Sequence, residues 1–563
     1  MKELLLGSRF RLGRNKVSNL LRWLGGASPT LLIVSMAFGQ VLPDPPGSHF
    51  PVSATEVASL PSYGPGDRLV ATYYFYWYKW ADACAGKVCD PAYIRNHIEF
   101  APGFQGSSKP MDALTDHPTG LDGWNYEDPQ WHLSQINAIS GAGIDIILPV
   151  FWGVPGRYGE DGCIEAVWSK VGLENLVRAL EANKDGKVPN PRVGMFYDTS
   201  TLTFASPFNP KQGNKIDLRT EQGQKHFYAT IRDFYSLVPA KYWALWEQRP
   251  LIWLYASEFA SGHDEKVLQF AREQFARDFG GLNPLFVTHT DWSPAAGADW
   301  IYQWGAATKP TFLSVNSIGP GFDNSAVHGK PRGSHVLRER KGGDFYRDAW
   351  ERALHSPCPI TVIETWNELH EGTQICDTTE YGSQYREITA EYAAKFKNPG
   401  GNSPLPGPFQ GAESVSWEGG GMSLGIEPVQ AEDGQFSKVT TGDGVVLQMA
   451  SNYLYFAVDD SFTFCGREPF TAEVEFFSVP IGGNPTTGES ASIHLEYDSW
   501  DQIAQFFGMY KATEAIPVER KIGWKSVRFD LKDARLANNQ NQMSDFRVFA
   551  PKGFRIKKVT LSR

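Results

Sequence analysis

The sequence predicts an α/β chain, a (β/α)8 TIM barrel followed by a C-terminal antiparallel β-sandwich. Three observations carry this. Eight apolar, β-rich runs alternate with helix-period segments before residue 398. A Pro/Gly-rich break follows over 398–412. Beyond it, short alternating strands are punctuated by Gly, Asn and Asp.

The barrel runs are 69–77, 144–152, 192–198, 250–255, 284–288, 299–304, 311–318 and 360–366. Several are apolar throughout rather than alternating, as parallel strands covered on both faces must be. Helical spacing falls over 129–142, 173–180, 222–235, 265–279 and 344–354. The fifth to seventh runs lie close together, so helices there must be short or missing. A doubly wound open sheet is the alternative, but the Gly-rich phosphate turn that usually opens one is absent. After the break, strands are expected at 445–449, 453–458, 471–477, 491–497, 525–531 and 557–562. A β-sandwich results, with a carbohydrate-binding role and a purely structural role both open.

At 563 residues the chain is long enough for two folded units. Five parts are expected: a signal peptide over 1–39, an N-terminal extension over 40–66, the barrel over 67–397, the linker over 398–412 and the sandwich over 413–563. The signal rests on basic residues from Arg9 to Arg22, the apolar run 31–38, and Ala37 and Gly39 at the cleavage position. Secretion, or a periplasmic or cell-surface location, follows, and no integral membrane contact is expected. The net charge of −10 argues against nucleic acid and anionic membranes as partners. Of six cysteines none is spaced CxxC, so no metal is implied. Cys84 and Cys89 could close a small loop in an exported protein. The 18 Trp suit either large cores or stacking on sugar rings.

Barrel chemistry sits at the C-terminal ends of strands. Here those ends carry Trp77 with Tyr78, Trp152, Asp198, Tyr255, His289 with Asp291, Trp304, and Glu368 with Glu371. Aromatic rings would stack on sugars, while carboxylates and His would bind hydroxyls. Glycosidic cleavage needs a proton donor and a second carboxylate. Glu368 and Glu371, three residues apart just past the last strand, supply such a pair. Asp198 or Asp291 could instead be a more distant partner carboxylate.

The segment Asn367-Glu368-Leu369-His370-Glu371-Gly372-Thr373-Gln374-Ile375 resembles the Asn-Glu-Trp-x-Glu-Gly-Thr-Gln-Ile motif of glycoside hydrolase family 99, with Leu369 as its one departure. The run Tyr73–Tyr78, the Asp128-Pro129 pair, Gln135, Ala142–Asp145, Trp152-Gly153, Pro320–Asn324, Arg338, Gly343, Tyr346 and Trp350 are similar to further pieces of that family, in the same order. The resemblance covers about residues 67–395. It implies a retaining, endo-acting glycosidase of a polysaccharide or glycan, with α-mannoside as the family's sugar. Glu368 would be base for the substrate's 2-hydroxyl, and Glu371 the acid/base at the glycosidic oxygen. Tyr74, Tyr78, Trp152, Tyr255, His289 and Arg338 would line the cleft. No cofactor or metal is implied. The third strand ends Phe196-Tyr197-Asp198 where the family tends to Glu-Pro-Tyr, and Cys376 replaces an acidic residue. A non-catalytic sugar-binding protein and a polysaccharide-biosynthesis barrel are the competing functions.

Overall fold

The computed structural model describes residues 42–79, 114–120, 123–157, 164–183, 189–203, 215–327, 335–398, 405–420, 422–478, 492–518 and 523–563. The expected signal peptide, the Cys84–Cys89 loop and residues 399–404 of the linker lie outside these residues.

A parallel-rich sheet organises the first unit. Its strands are β1 (Leu69–Tyr74), β2 (Ile146–Phe151), β3 (Met195–Tyr197), β4 (Arg249–Leu254), β5 (Leu285–His289), β6 (Trp300–Tyr302), β7 (Asn316–Ile318) and β8 (Ile360–Ile363). The pairing is parallel and runs β6-β5-β4-β3-β2-β1-β8-β7. Between β6 and β7 the sheet is nearly closed: the Val315 N–H reaches the Ile301 carbonyl at 3.3 Å, and Ser317 Oγ accepts the Gln303 N–H at 3.2 Å. A nearly closed parallel-rich sheet is a barrel. Tyr73 is enclosed within it, its ring against Phe196, Tyr302 and Trp304 from β3, β6 and the β6 exit.

Helices α1 (Ala54–Ala58), α2 (Pro129–Gly141), α3 (Ile164–Ala182), α4 (Glu221–Leu237), α5 (Glu265–Asp278), α6 (Asp344–His355) and α7 (Gln384–Lys397) accompany it. Their starts are legible in the sequence. Asp128, Thr220 and Asp264 each accept a backbone N–H from the first turn of the following helix, and Pro129 fills a position needing no N–H donor. The helix over Gln384–Lys397 was not among the expected ones.

Two expectations are corrected. The run 311–318 is not one strand: Thr311–Phe312 turns back antiparallel on β7, pairing Phe312 with Asn316. The cause is long-range. Asn539, from the C-terminal unit, accepts the Phe312 N–H at 3.1 Å and donates to its carbonyl at 3.0 Å. The run 360–366 leaves the sheet at Ile363, and residues 364–366 begin the loop of interest.

The C-terminal unit has two antiparallel sheets over a shared apolar core that includes Trp417, Phe456, Phe476, Leu495, Phe546 and Ile556. Seven of its described strands were not expected: Ser414–Glu418, Met422–Leu424, Ile426–Val429, Phe436–Thr441, Lys511–Ala512, Ile516–Pro517 and Phe546–Phe549. This unit packs on the β6–β7 flank, where the β5–β6 connection has only a 3-10 turn at Pro294–Ala296 and the β6–β7 connection only the short strand Thr311–Phe312. Phe464 meets Phe312, Arg352 pairs with Asp460 at 2.9 Å, and the Lys309 ammonium donates to the Asn539 and Gln540 carbonyls. It fills the sector left by the missing helices.

Candidate active site

The β8 exit is a latched loop, and the latches explain the motif residue by residue. Asn367 pairs with the backbone of Phe75, accepting its N–H at 2.8 Å and donating to its carbonyl at 2.6 Å. This ties the loop to the β1 exit. The Tyr78 hydroxyl donates to the Asn367 carbonyl at 2.8 Å and accepts the Leu369 N–H at 3.0 Å. Gly372 has φ +59, and a Cβ there would meet Asp323 backbone atoms and Thr115 at 3.1–3.2 Å. Thr373 bonds back to Thr365, Gln374 donates to Asp116 at 2.8 Å, and Ile375 is fully buried. Beneath, Arg340 donates to the carbonyls of Gly372 and Gln374, both at 2.9 Å. Leu369, the departure from the motif, is buried and its carbonyl accepts the Thr115 N–H at 2.9 Å.

On this loop Glu368 is almost fully buried. One carboxylate oxygen accepts both the His370 backbone N–H and its Nδ1–H, each at 3.0 Å. His370 stacks on Tyr78 and meets Trp77 edge-on. Glu371 is partly exposed. It lies within electrostatic reach of Tyr255, whose phenol burial first, then Asp198, Glu371, Glu364 and Asp291, push well above its usual pKa. Tyr255, at the β4 exit, therefore has carboxylates from the β3, β5 and β8 exits near it.

The remaining expected residues divide. Trp152 stacks on Trp77 with centroids 5.2 Å apart, forming an aromatic wall next to His370. Trp304 packs against Tyr73, Phe196 and Tyr255. His289 donates Nδ1–H to Asp291 at 2.8 Å, and its Nε2 accepts from Gln303 at 3.0 Å. The other Asp291 oxygen accepts the Ser257 N–H at 2.8 Å. With both oxygens engaged, Asp291 orients His289 rather than standing as a free partner carboxylate. Asp198 is partly exposed and accepts the Ser200 N–H at 3.0 Å.

Two residues lie elsewhere. Tyr74 points outward from the sheet, donating to His132 Nδ1 on α2 at 2.9 Å and stacking on Trp131. Neighbours on a strand face opposite sides, so the inward tyrosine of β1 is Tyr73. Burial lowers the His132 pKa to about 3, so this ring is neutral and accepts. Arg338 is exposed on a small hairpin pairing Phe322–Asp323 with Leu337–Arg338, at the outer rim of a pocket of about 270 Å³ that Gly372 also lines. Tyr78 is fully buried and serves the loop as a latch.

One residue was missed. Glu364 ends β8 and is 2% exposed. One of its oxygens accepts the N–H groups of Gly305 and Ala306, both at 2.8 Å. Burial, with a smaller contribution from Glu371, raises its pKa to about 8, against the opposing backbone hydrogen bonds. The available signal was its position, a carboxyl directly after the apolar run 360–363. Among the described residues no group of three or more His, Cys, Asp or Glu could hold a metal ion. Among them too, no helix is long and apolar enough to cross a membrane.

Comparison with known proteins adds the following. A family model described as a domain of unknown function (DUF5010) matches residues 101–403. The chain is 31% identical over 100 residues to a glycoprotein endo-alpha-1,2-mannosidase-like protein of Danio rerio, covering 18% of this chain and 22% of that protein. It is 26% identical over 132 residues to the glycoprotein endo-alpha-1,2-mannosidase of Rattus norvegicus, covering 21% of this chain and 28% of that protein. The chain thus spans about a quarter of the length of these curated relatives. A solved GH99 endo-alpha-mannosidase from Bacteroides thetaiotaomicron is similar at 17% identity and TM-score 0.40, over 59% of this chain and 98% of that one.

Proposed function

The chain belongs to the family described as a domain of unknown function (DUF5010), whose model spans more than half of it, and from that premise we propose that it is a retaining glycoside hydrolase. On this reading the sheet is an eightfold barrel, and its substrate is a polysaccharide or glycan cleaved internally, with α-mannoside the first sugar to test. The observation that carries the reading is the latched loop. It carries two carboxyls of different environment, Glu368 buried and held by His370 and Glu371 partly exposed. The stretches similar to endo-α-1,2-mannosidases support the sugar chemistry.

The chemistry runs in two halves. Glu368 takes the proton of the substrate's own 2-hydroxyl, and that oxygen attacks the anomeric carbon. Glu371 gives its proton to the departing glycosidic oxygen. An anhydro sugar is left, with Glu368 protonated and Glu371 ionised. Glu371 then takes a proton from water, whose oxygen opens the anhydro ring at the anomeric carbon, and Glu368 returns its proton to the 2-oxygen. Two inversions give retention. Trp77, Trp152 and Trp304 would carry the sugar faces, while His289 and Asp198 would bind hydroxyls. Export through residues 1–39 and the unit boundaries at 67–397 and 413–563 belong to the same proposal.

A polysaccharide screen including mannans and α-glucans, with products read by mass spectrometry, tests it. Glu371→Gln and Glu368→Gln should each slow cleavage by about 10²–10⁴-fold. If either variant cleaves as fast as the native protein, the pairing is wrong. Glycan binding with no cleavage by the native protein would favour the sugar-binding alternative.

A further inference from the structure

The two sheets of the C-terminal unit have unlike outer faces. On the sheet containing Phe470–Ser478, Gly523–Leu531 and Arg555–Ser562, the outward positions carry Glu473, Glu475, Ser526, Arg528, Lys558 and Thr560, with a single ring pair at one end, Phe477 opposite Trp524 at 5.3 Å. Opposite charges meet there as Arg528–Glu473 at 3.1 Å and Lys557–Glu475 at 3.5 Å. This is how a strand face decorated for water reads.

The other sheet differs. Its strands Tyr453–Val458, Phe546–Phe549 and Ser492–Tyr497 lie side by side, with Leu454, Phe456, Phe546, Val548, Ile493 and Leu495 turned into the core. Their outward residues form two cross-strand rows. One row is aromatic: Tyr453 opposite Phe549, and Phe549 opposite His494. Tyr453 and Phe549 have centroids 5.5 Å apart, and His494 stacks on Phe549 at 4.6 Å. The second row is polar: Tyr455 opposite Arg547, and Arg547 opposite Glu496. The second row lies one step along the strands, about 7 Å away, and is buried, with Tyr455 at 0%, Glu496 at 7% and Arg547 at 8% exposure, so it backs the ring row from below.

The polar row is braced rather than solvated. Arg547 donates Nε–H to Glu496 at 2.7 Å and reaches Asp433 at 3.2 Å, while the rings of Tyr453 and Tyr510 close over its guanidinium at 3.7 and 4.4 Å. Tyr453, Phe549, His494 and Tyr510 remain only partly buried. The Nδ1 atom of His494 is buried and has no hydrogen-bond partner. Holding three rings and an ion pair on an outward sheet face costs solvation that the Glu/Lys/Thr face avoids. Stacking rings beside hydrogen-bonding groups, with one guanidinium against two carboxylates and no surplus of cations, fit a flat, hydroxyl-rich, uncharged ligand.

We propose that this face is a second glycan site, a platform for an uncharged polysaccharide chain lying across the three strands, separate from the barrel mouth. It deepens the glycosidase reading by giving the enzyme a hold on polymer, yet it stands on residues that reading does not use. Trp500 is engaged within the protein, its indole N–H on the Gly466 carbonyl at 2.6 Å. Trp524 lies on the opposite, charged sheet and serves as the control.

The test is affinity electrophoresis of the full chain, in a Glu371→Gln background to stop cleavage, through gels containing mannan, xylan, an α-glucan, a β-glucan or an anionic polymer. At least one uncharged polymer should retard the protein. Tyr453→Ala and Phe549→Ala should each bind it about ten-fold more weakly, with Phe549→Tyr and Trp524→Ala unchanged and all variants melting as the parent does. In the cleaving protein, Tyr453→Ala and Phe549→Ala should leave hydrolysis of a short soluble oligosaccharide unchanged. No retardation by any uncharged polymer, retention equal to the parent in both alanine variants, or loss of binding in Trp524→Ala would each overturn the platform. Retention without any cleavage would instead remove the glycosidase reading and leave the platform standing.

Discussion

Removing the Tyr78 hydroxyl should unlatch the carboxylate loop. In Tyr78→Phe the ring keeps its packing, but the Asn367 carbonyl and the Leu369 N–H each lose a buried partner, at 2.8 and 3.0 Å in the native protein. A buried polar group left unsatisfied costs about 1–3 kcal/mol, and the vanished hydroxyl no longer needs its own partner. A net cost of about 2–4 kcal/mol results. These two bonds flank Glu368, so most of the cost should appear as opening of the 365–376 loop rather than as global unfolding. If the open loop is inactive and comes to dominate, kcat/KM falls by up to about 30- to 700-fold, since each 1.4 kcal/mol is ten-fold in rate. Hydrogen exchange read by mass spectrometry on peptides spanning 365–376 gives a readout that does not depend on knowing the substrate, with thermal unfolding alongside. Exchange of that segment unchanged from native, together with an unchanged Tm, would refute the latch.

Two titrations follow from buried groups. The Glu364 pKa is raised to about 8 by burial, so the folded chain keeps a proton that the unfolded chain loses near its ordinary value of 4.5. Its contribution to stability is full below about pH 4.5 and lost as pH rises through about 8. Glu364→Gln can still accept from Gly305 and Ala306, and should show a smaller drop in Tm between about pH 5 and 9 than the native protein. Equal drops would show that Glu364 does not titrate this way. Lys309 is pushed the other way, down to about 8 by burial, with Asp498 and Asp545 opposing. Here the unfolded chain holds the extra proton, so stability is present above about pH 10.5 and lost as pH falls through about 8. Lys309→Met should flatten that rise, and near pH 7 should strand the Asn539 and Gln540 carbonyls at a cost of about 1–3 kcal/mol. Limited proteolysis around residues 405–412 would report the loosened contact, and a native-like pattern would argue against the Lys309 anchor.

The loop was legible because its residues act locally. Asn367, Gly372, Thr373 and Gln374 each satisfy a backbone requirement within or next to the β8 exit, so their order in sequence carries the geometry. The facing of β1 was not legible. All six of its residues are buried, leaving no apolar/polar alternation to separate Tyr73 from Tyr74. Glu364 lies in the predicted run 360–366, yet its buried state depends on the N–H groups of Gly305 and Ala306, about 60 residues earlier. The split of 311–318 depends on Asn539, more than 220 residues later.

By itself the sequence determined the order of the two units, the eight apolar runs, the short or missing helices near β6 and β7, and a loop carrying two carboxyls. These depend on period, composition and turn chemistry, which act over a few residues. Only the tertiary structure decided which β1 tyrosine looks into the barrel, that Asp291 holds His289, that Glu364 is buried on the Gly305 and Ala306 N–H groups, and that the sandwich fills the flank the helices leave open. Most of those outcomes come from contacts between segments tens to hundreds of residues apart. There, burial and hydrogen-bond satisfaction choose among faces that the local pattern leaves equivalent.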